Sequence, residues 1–200
     1  MLNEIRNLFS HEAEAITNIP VTEAYTKALD AIYHSVHCNG GKVVVSGMGK
    51  AGQIAVGIAT TFSSTGTPAV WLHPSEAQHG DLGIVCKDDI LLLISNSGKT
   101  REIIELVTLA KELWAYIPII VITGNPAAEL AQLADVCIDT GNPAEVCALG
   151  LSPTTSTTVM SAIGDALVVQ MMKRIGFSKA DYAKRHHGGY LGQKSRNETD

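Results

Sequence analysis

Residues 90–102 of the chain read Ile90-Leu-Leu-Leu-Ile-Ser-Asn-Ser-Gly-Lys-Thr-Arg-Glu102, and this stretch decides the fold. Its first five residues form an uninterrupted apolar run, which is typical of a parallel strand buried on both faces. A polar loop follows, and the pattern predicts a helix from Lys99 onward. The apolar positions of that helix are Ile103, Val107, Ala110 and Trp114. The stretch therefore predicts one strand, loop and helix of an α/β domain.

The loop between that strand and that helix has the composition of an anion site. Ser95, Ser97 and Thr100 supply hydroxyl groups, Asn96 supplies an amide, and Gly98 gives an unhindered backbone position. An anion here would meet backbone N–H groups and the positive end of the helix dipole. The alternative is an ordinary turn in which a serine caps the helix.

Strands and helices alternate along the rest of the chain. The predicted strands are residues 42–46, 68–72, 90–94, 117–123 and 134–139. The other predicted helices of this part are residues 51–62, 127–133 and 154–175. Polar residues gather where the strands end. The pattern indicates a doubly wound, five-stranded parallel sheet in a three-layer α/β sandwich, with its site along the carboxyl edge.

Two helical patterns, in residues 3–16 and 21–38, precede the first strand and are separated by Pro20. They exceed what a minimal sheet domain needs, and the second has one apolar face that requires a partner surface. We therefore expect residues 1–38 to form contacts between subunits of an oligomer. Residues 39–192 form the single α/β domain, and the polar residues 193–200 are expected to be a disordered tail.

Composition and charge argue for some classes of protein and against others. The hydrophobic share of 46% with an aromatic share of only 5% suits an α/β domain, and a formal net charge of −5 without a basic run argues against nucleic-acid binding. The four cysteines are scattered without metal spacing, which is typical of a reducing compartment. The start of the sequence lacks a signal-peptide core, and no apolar run has the length of a membrane span. We expect a cytoplasmic protein with no membrane partner.

The first predicted strand leads into Gly47-Met-Gly-Lys-Ala-Gly52, which formally matches the dinucleotide fingerprint. The match is weak because the next strand ends in His73, where a ribose-binding carboxylate is expected, and Glu76 lies past the strand end. Lys50 also lacks the spacing of a P-loop. No cofactor is predicted. His73 and His79 have a loose spacing for a metal pair and no third ligand, so no metal site is predicted either.

Seven motifs follow one another between about Gly41 and Gly192. They are SGMGKAG (46–52), SSTGTP (63–68), HPSEAQHGDLG (73–83), ISNSGKT (94–100), ITGNP (122–126), EVCALGLSPTTSTT (145–158) and HHGGYLG (186–192). In this order they resemble the sugar isomerase (SIS) domain family, and within it the arabinose-5-phosphate isomerases of Kdo biosynthesis. The resemblance implies the SIS fold with a flavodoxin-like strand order.

The resemblance also implies a set of site residues. The catalytic set falls on Lys50, Glu102, Glu145 and His186. The substrate contacts fall on Ser46, Gly47, Gly66, Thr67, His73, His79, Ser95, Asn96, Ser97, Thr100 and Ser152. Three features depart from the family pattern: the sequence ends before the usual CBS modules could begin, Lys99 stands where an acid is usual, and His187 replaces a proline. We expect the missing modules to affect regulation and not the chemistry. Lys99 and His187 leave the substrate preference open, and His187 leaves open which histidine is catalytic.

The implied reaction interconverts an aldose phosphate and a ketose phosphate through a cis-enediol, which needs a base, proton shuttles and a phosphate anchor but no redox cofactor. Glu145 is the predicted base, and shielding from water would raise its pKa toward neutrality. His186, from the same or a neighbouring subunit, would open the sugar ring or move protons. Lys50 would stabilise oxyanion charge, and Glu102 would orient Lys50 or His186. Each also has a plain alternative as a solvated or helix-capping residue.

The sequence therefore predicts a homo-oligomeric enzyme, most simply a tetramer, that converts D-ribulose 5-phosphate to D-arabinose 5-phosphate for Kdo, lipopolysaccharide or capsule synthesis. One alternative is an isomerase of another phosphosugar. The other is a non-catalytic protein that binds a sugar phosphate as a regulator.

Overall fold

Five parallel strands form one sheet in the computed structural model, which describes residues 1–197. The strands are β1 (Val43–Gly47), β2 (Ala69–Trp71), β3 (Ile90–Ile94), β4 (Ile119–Thr123) and β5 (Val136–Asp139). Their order in the sheet is β2-β1-β3-β4-β5, and every neighbouring pair is parallel. The predicted sheet, its strand count and its flavodoxin-like order are confirmed.

Helices cover both faces of the sheet. They are α1 (Leu2–Thr17), α2 (Glu23–Ile32), α3 (Gly49–Ser64), α4 (Pro74–Ala77), α5 (Arg101–Leu113), α6 (Glu129–Leu133), α7 (Thr155–Arg174), α8 (Lys179–Arg185) and α9 (Gly189–Asn197). A π-helical segment, Tyr33–Cys38, continues α2, and a 3-10 turn, Asp81–Ile84, precedes β3. The predicted single helix over residues 21–38 is therefore a helix that widens in its last turn.

Alternation along the strands divides the core into two layers. Val43 and Val45 of β1 face a cluster built with α2, α3 and α7, whereas Val44 faces a cluster built with α5 and α6. All five residues of β1, β3 and β4 are buried, as expected for parallel strands covered on both faces. The three-layer sandwich is confirmed.

The C-terminal part of the chain shows how local sequence sets the bounds of the outer helices. Gly176 ends α7 in the left-handed conformation (φ +63°), and Ser178 caps α8 in a capping box with Asp181. Residues 193–197 lie in α9, which corrects the expected disorder of the tail for these residues. The rest of that predicted tail, residues 198–200, lies outside the described residues.

Among residues 1–197, none of the helices combines the length and the apolar character that a membrane span requires.

Candidate active site

A cleft of about 750 Å³ opens at the carboxyl edge of the sheet. It lies where the chain switches faces, because α3, after β1, packs on one side of the sheet and α5, after β3, packs on the other. Doubly wound sheets bind their ligands at such a switch point. Six of the predicted site residues line the cleft: Lys50, Ser95, Asn96, Ser97, Thr100 and Glu145.

The loop between β3 and α5 forms the phosphate cradle, by which we mean residues 95–100. Ser95 is 2% exposed, and its hydroxyl lies 2.7 Å from the hydroxyl of Thr100, which closes the loop across its ends. Gly98 has φ +63°, and a Cβ atom there would lie 2.6 Å from the Cβ of Ala128. Only glycine fits this tight turn. The turn brings the loop to the start of α5, where helix N–H groups lack intrahelical acceptors.

Glu145 is half-buried at the start of α7, which it approaches from the loop after β5. Its Oε2 accepts hydrogen bonds from the N–H (2.7 Å) and hydroxyl (3.0 Å) of Thr154 and from the N–H of Ser156 (3.4 Å). Its Oε1 accepts a short hydrogen bond from the Ser156 hydroxyl. The carboxylate therefore caps the helix that follows it.

These bonds correct the expectation for the acidity of Glu145. Desolvation by burial raises the pKa of the carboxyl, but the hydrogen bonds from Ser156 and Thr154 together outweigh it, so the pKa lies below its usual value. Hydrogen bonds to the charged form stabilise that form. Sequence reasoning expected only the burial effect, because it did not place the carboxylate on the helix start.

Two lysines bring positive charge to the cleft. Lys50 lies in the first turn of α3 and Lys99 lies in the phosphate cradle, and both are exposed. Among the described residues that line the cleft, Glu145 is the only carboxylate. Two cations against one anion favour an anionic ligand.

The sequence analysis missed several residues of the cleft wall. Met48, Asn125, Ser156 and Thr157 lie within the quoted motifs but had no predicted role, and Asn142 and Met160 were not named. Asn125 follows β4 and Asn142 follows β5, so the rule that sites lie past the carboxyl ends of strands would have identified both. Asn142 is the only non-glycine residue of the described chain with positive φ (+47°).

Four predicted substrate contacts do not line the cleft. Ser46 is fully buried, and its hydroxyl donates to the Leu72 carbonyl at 2.7 Å. Gly47 packs against the backbone of Ala51 and allows β1 to turn into α3. Gly66 and Thr67 precede β2, so they lie at the amino edge, where the Thr67 hydroxyl pairs with His37 at 3.2 Å. Gly66 and Thr67 are therefore at the opposite edge of the sheet, whereas Ser46 and Gly47 end β1 beside the cleft without lining it.

His73 and His79 follow the outermost strand of the sheet. His73 lines a separate depression together with Trp71 and Glu76, and its Nδ1 accepts the Ser75 N–H at 3.2 Å. His79 lies just after α4 and lines neither space. Within residues 1–197, no three His, Cys, Asp or Glu side chains are grouped as they would be to hold a metal ion.

Three further predicted residues also lie outside the cleft of the single chain. Glu102 is half-buried in the first turn of α5. His186 ends α8 with its ring stacked on Tyr182 at 3.6 Å between centroids. Ser152 is exposed beside the cleft, and its N–H donates to the Cys147 sulfur at 3.2 Å.

Cys147 follows Glu145 in the same loop. Backbone N–H groups of Ser152 and Leu151 donate to its sulfur and lower the pKa of the thiol to about 7. Such a thiol is partly ionised at neutral pH and reacts more readily with electrophiles.

Comparison with known proteins identifies the family. The model of the SIS domain matches residues 36–170. The chain belongs to the SIS domain family. This SIS chain is 47% identical over 174 residues to the arabinose 5-phosphate isomerase KdsD of Yersinia pestis, covering 87% of the chain and 51% of the relative. For the KdsD of Escherichia coli K12 the identity is 49% over 154 residues, or 77% and 46% of the two chains. The chain therefore spans about half the length of the curated relatives it matches.

Solved structures extend the match to nearly the whole SIS chain. A Bacteroides fragilis structure, described as that of a phosphosugar isomerase involved in capsule formation, is 63% identical with a TM-score of 0.94, and covers 95% of this chain and 99% of its own. A protein of Escherichia coli CFT073 in complex with arabinose 5-phosphate is 34% identical with a TM-score of 0.85, covering 92% and 96%.

Proposed function

We propose that the protein is an aldose–ketose isomerase that interconverts D-ribulose 5-phosphate and D-arabinose 5-phosphate. One observation carries the proposal: a single cleft holds a phosphate cradle, two lysines and one hydrogen-bonded carboxylate. The relatives named arabinose 5-phosphate isomerase and the related protein bound to arabinose 5-phosphate support this substrate. By analogy with the capsule-related Bacteroides fragilis protein and the KdsD relatives, the product would feed Kdo, lipopolysaccharide or capsule synthesis.

The reaction assigns a role to each part of the cleft. The phosphate group binds residues 95–100 at the start of α5. Glu145, ionised because of its lowered pKa, removes the C2 proton of the open-chain aldose to give a cis-enediolate. A proton then moves from the C2 hydroxyl to the C1 oxygen, and Glu145 returns its own proton to C1, which gives the ketose. Lys50 stabilises the negative charge that develops on the substrate oxygens. The reaction is an internal redox exchange between adjacent carbons, so it needs no electron donor or acceptor.

Glu102 and His186 keep their proposed roles only if a second copy of the chain completes the site. Neither lines the cleft of the single chain, and His186 lies on the outer helix α8. Helix α1 buries none of its residues and exposes Leu2 and Phe9, which supports a homo-oligomer, proposed to be a tetramer in the cytoplasm. Light scattering tests it: a fully active monomer would contradict the shared site.

The function is tested by incubating the protein with ribulose 5-phosphate and a panel of other ketose phosphates and following the products by NMR. We expect arabinose 5-phosphate to form fastest. Ser97→Ala, in the cradle, should raise KM about tenfold, since a hydrogen bond to a charged group is lost. The control Ser10→Ala, on exposed α1, should leave KM unchanged.

Faster turnover of another sugar phosphate would replace the substrate while keeping the reaction. Binding of sugar phosphates without turnover of any would contradict the enzyme and favour a regulatory binding protein.

A further inference from the structure

The N-terminal helix α1 touches the loop that carries Glu145. We call residues 140–154, which connect β5 to α7, the base loop. The Nε2 atom of His11, in α1, lies 3.2 Å from the carbonyl oxygen of Ala144, the residue directly before Glu145. His11 lies outside residues 36–170, which match the SIS domain model. The contact thus joins an element outside the matched range to the centre of the candidate site.

A second contact fixes the start of the same loop. Gly141 has φ +76°, and a Cβ atom there would lie 3.2 Å from Cδ of Pro20 and 3.6 Å from the carbonyl oxygen of Asn18. The connection between α1 and α2 therefore lies directly against the base loop. Ala15 and Ile19 pack on the main core cluster, so this end of α1 is held by the domain.

The base loop depends on such contacts because it has no strand and no helix of its own. On its far side, the Glu145 carboxylate is bound by Thr154 and Ser156 of the α7 start. On its near side, the backbone is held by His11 and by the turn at Pro20. We propose that His11 is a positioning residue that holds the backbone of the base loop, so that the Glu145 carboxylate meets the substrate carbon.

The chemistry of the contact defines what His11 must do. A carbonyl oxygen only accepts hydrogen bonds, so the proton of the imidazole lies on Nε2. The neutral Nε2–H form and the imidazolium form both donate from this atom. The contact therefore acts as an anchor for the backbone of the base loop.

Loss of this anchor should affect proton transfer and not phosphate binding. The cradle, residues 95–100, belongs to the β3–α5 connection, whereas Glu145 directly follows Ala144, the residue that His11 contacts. A misplacement of about 1 Å at a catalytic group can cost about a hundredfold in rate. His11→Ala should therefore lower kcat about tenfold or more and leave the affinity for inorganic phosphate unchanged.

The inference rests on the proposed isomerase function, so its test includes one readout that needs no activity. The full chain carries His11→Ala, His11→Gln or, as a control, His34→Ala, which removes an exposed histidine of the π-helical segment. Hydrogen–deuterium exchange of the peptides covering residues 140–154 measures how well the backbone of the base loop is protected. Isomerisation of ribulose 5-phosphate gives kcat and KM. Calorimetry with inorganic phosphate measures the affinity of the cradle for phosphate.

We expect His11→Ala to raise exchange in the base loop and lower kcat, with KM and phosphate affinity within twofold of the wild type. His11→Gln should keep loop exchange and kcat near their wild-type values, because the glutamine amide can donate a hydrogen bond over a similar distance. His34→Ala should change neither quantity. Unchanged loop exchange and kcat in His11→Ala would overturn the inference. So would equal losses of phosphate affinity and thermal stability, which would indicate a general structural role. Absence of turnover in the wild type would instead contradict the proposed function, while the exchange data would still decide whether His11 holds the loop.

Discussion

The Ser156 hydroxyl donates a short hydrogen bond to the Glu145 carboxylate, so the proposed base is bound at the first turn of the helix that follows it. The same carboxylate thus caps α7 and faces the cleft. This arrangement keeps the carboxylate ionised and fixes its orientation, but it also makes the carboxylate a weaker base.

The first prediction concerns the acidic side of the pH–rate profile. Glu145 acts as a base only when it is ionised, and its lowered pKa keeps it ionised at a pH below the usual range of a glutamate. Ser156→Ala removes one of the stabilising hydrogen bonds, so the pKa of Glu145 should rise toward its ordinary value. The acidic limb of kcat/KM should then move to higher pH.

The control for this change is Ser161→Ala, further along α7, which should keep the wild-type profile. If the acidic limb of Ser156→Ala lies at the same pH as that of the wild type, the limb reflects the ionisation of a group other than Glu145. The same bonds stabilise the fold above the unfolded-state pKa of Glu145, and that contribution disappears as the pH falls through the lower folded-state value. The variant should therefore lose stability at neutral pH and approach the wild type in acid.

The second prediction is a difference in reactivity between two cysteines. The pKa of Cys147 is about 7 because backbone N–H groups donate to its sulfur, whereas burial and the charge of Asp139 raise the pKa of Cys137. Iodoacetamide at pH 7 should label Cys147 at least tenfold faster than Cys137, since the thiolate is the nucleophile.

Peptide mass spectrometry over time measures both rates. The rate at Cys147 should rise with pH and level off above about pH 8, where a thiol with a pKa of about 7 is mostly ionised. A rate that keeps rising tenfold per pH unit up to pH 9 would show an ordinary thiol and contradict the N–H contacts to its sulfur.

Much of the fold follows from the sequence, and the reason lies in particular strands. Residues 90–94 and 119–122 are uniformly apolar because both faces of a parallel sheet are covered, and this pattern needs no tertiary information. The cradle at residues 95–100 was predictable for the same reason: it directly follows a strand whose end must lie at the carboxyl edge.

The remaining parts depend on contacts between distant segments. The bonds from Ser156 to Glu145 span 11 residues, and the contact from His11 to Ala144 spans 133, so no local pattern reveals them. Gly66 and Thr67 were predicted to bind the substrate only because of the resemblance to the family. Their position before β2 puts them at the amino edge, away from the cleft.

The third prediction tests the opposite, amino edge of the sheet. Asp89 is 1% exposed and accepts hydrogen bonds from the N–H of Lys42 (2.9 Å), the ammonium group of Lys42 (2.6 Å) and the N–H of Cys86 (2.8 Å). Asp89→Ala should lower the free energy of unfolding by about 3 kcal/mol, because it leaves these donors without their acceptor.

Urea unfolding followed by circular dichroism measures this loss. The neighbouring Asp88→Ala, at an exposed position, should change the stability by less than about 0.5 kcal/mol. Equal effects of the two substitutions would contradict the structural role of Asp89.

The central claim is that Glu145 transfers the substrate proton, and isotope exchange tests it most directly. The protein is incubated with ribulose 5-phosphate in deuterated water and the product is analysed by NMR, beside Glu145→Gln and the exposed control Glu129→Gln. Phosphate affinity and thermal melting confirm that each variant is folded and keeps its cradle.

The account predicts arabinose 5-phosphate carrying deuterium at C2 with the wild type and with Glu129→Gln. Glu145→Gln, which cannot accept a proton, should bind phosphate but lower both turnover and exchange by at least about a thousandfold. Deuterated product formed at the wild-type rate by folded Glu145→Gln would contradict the account.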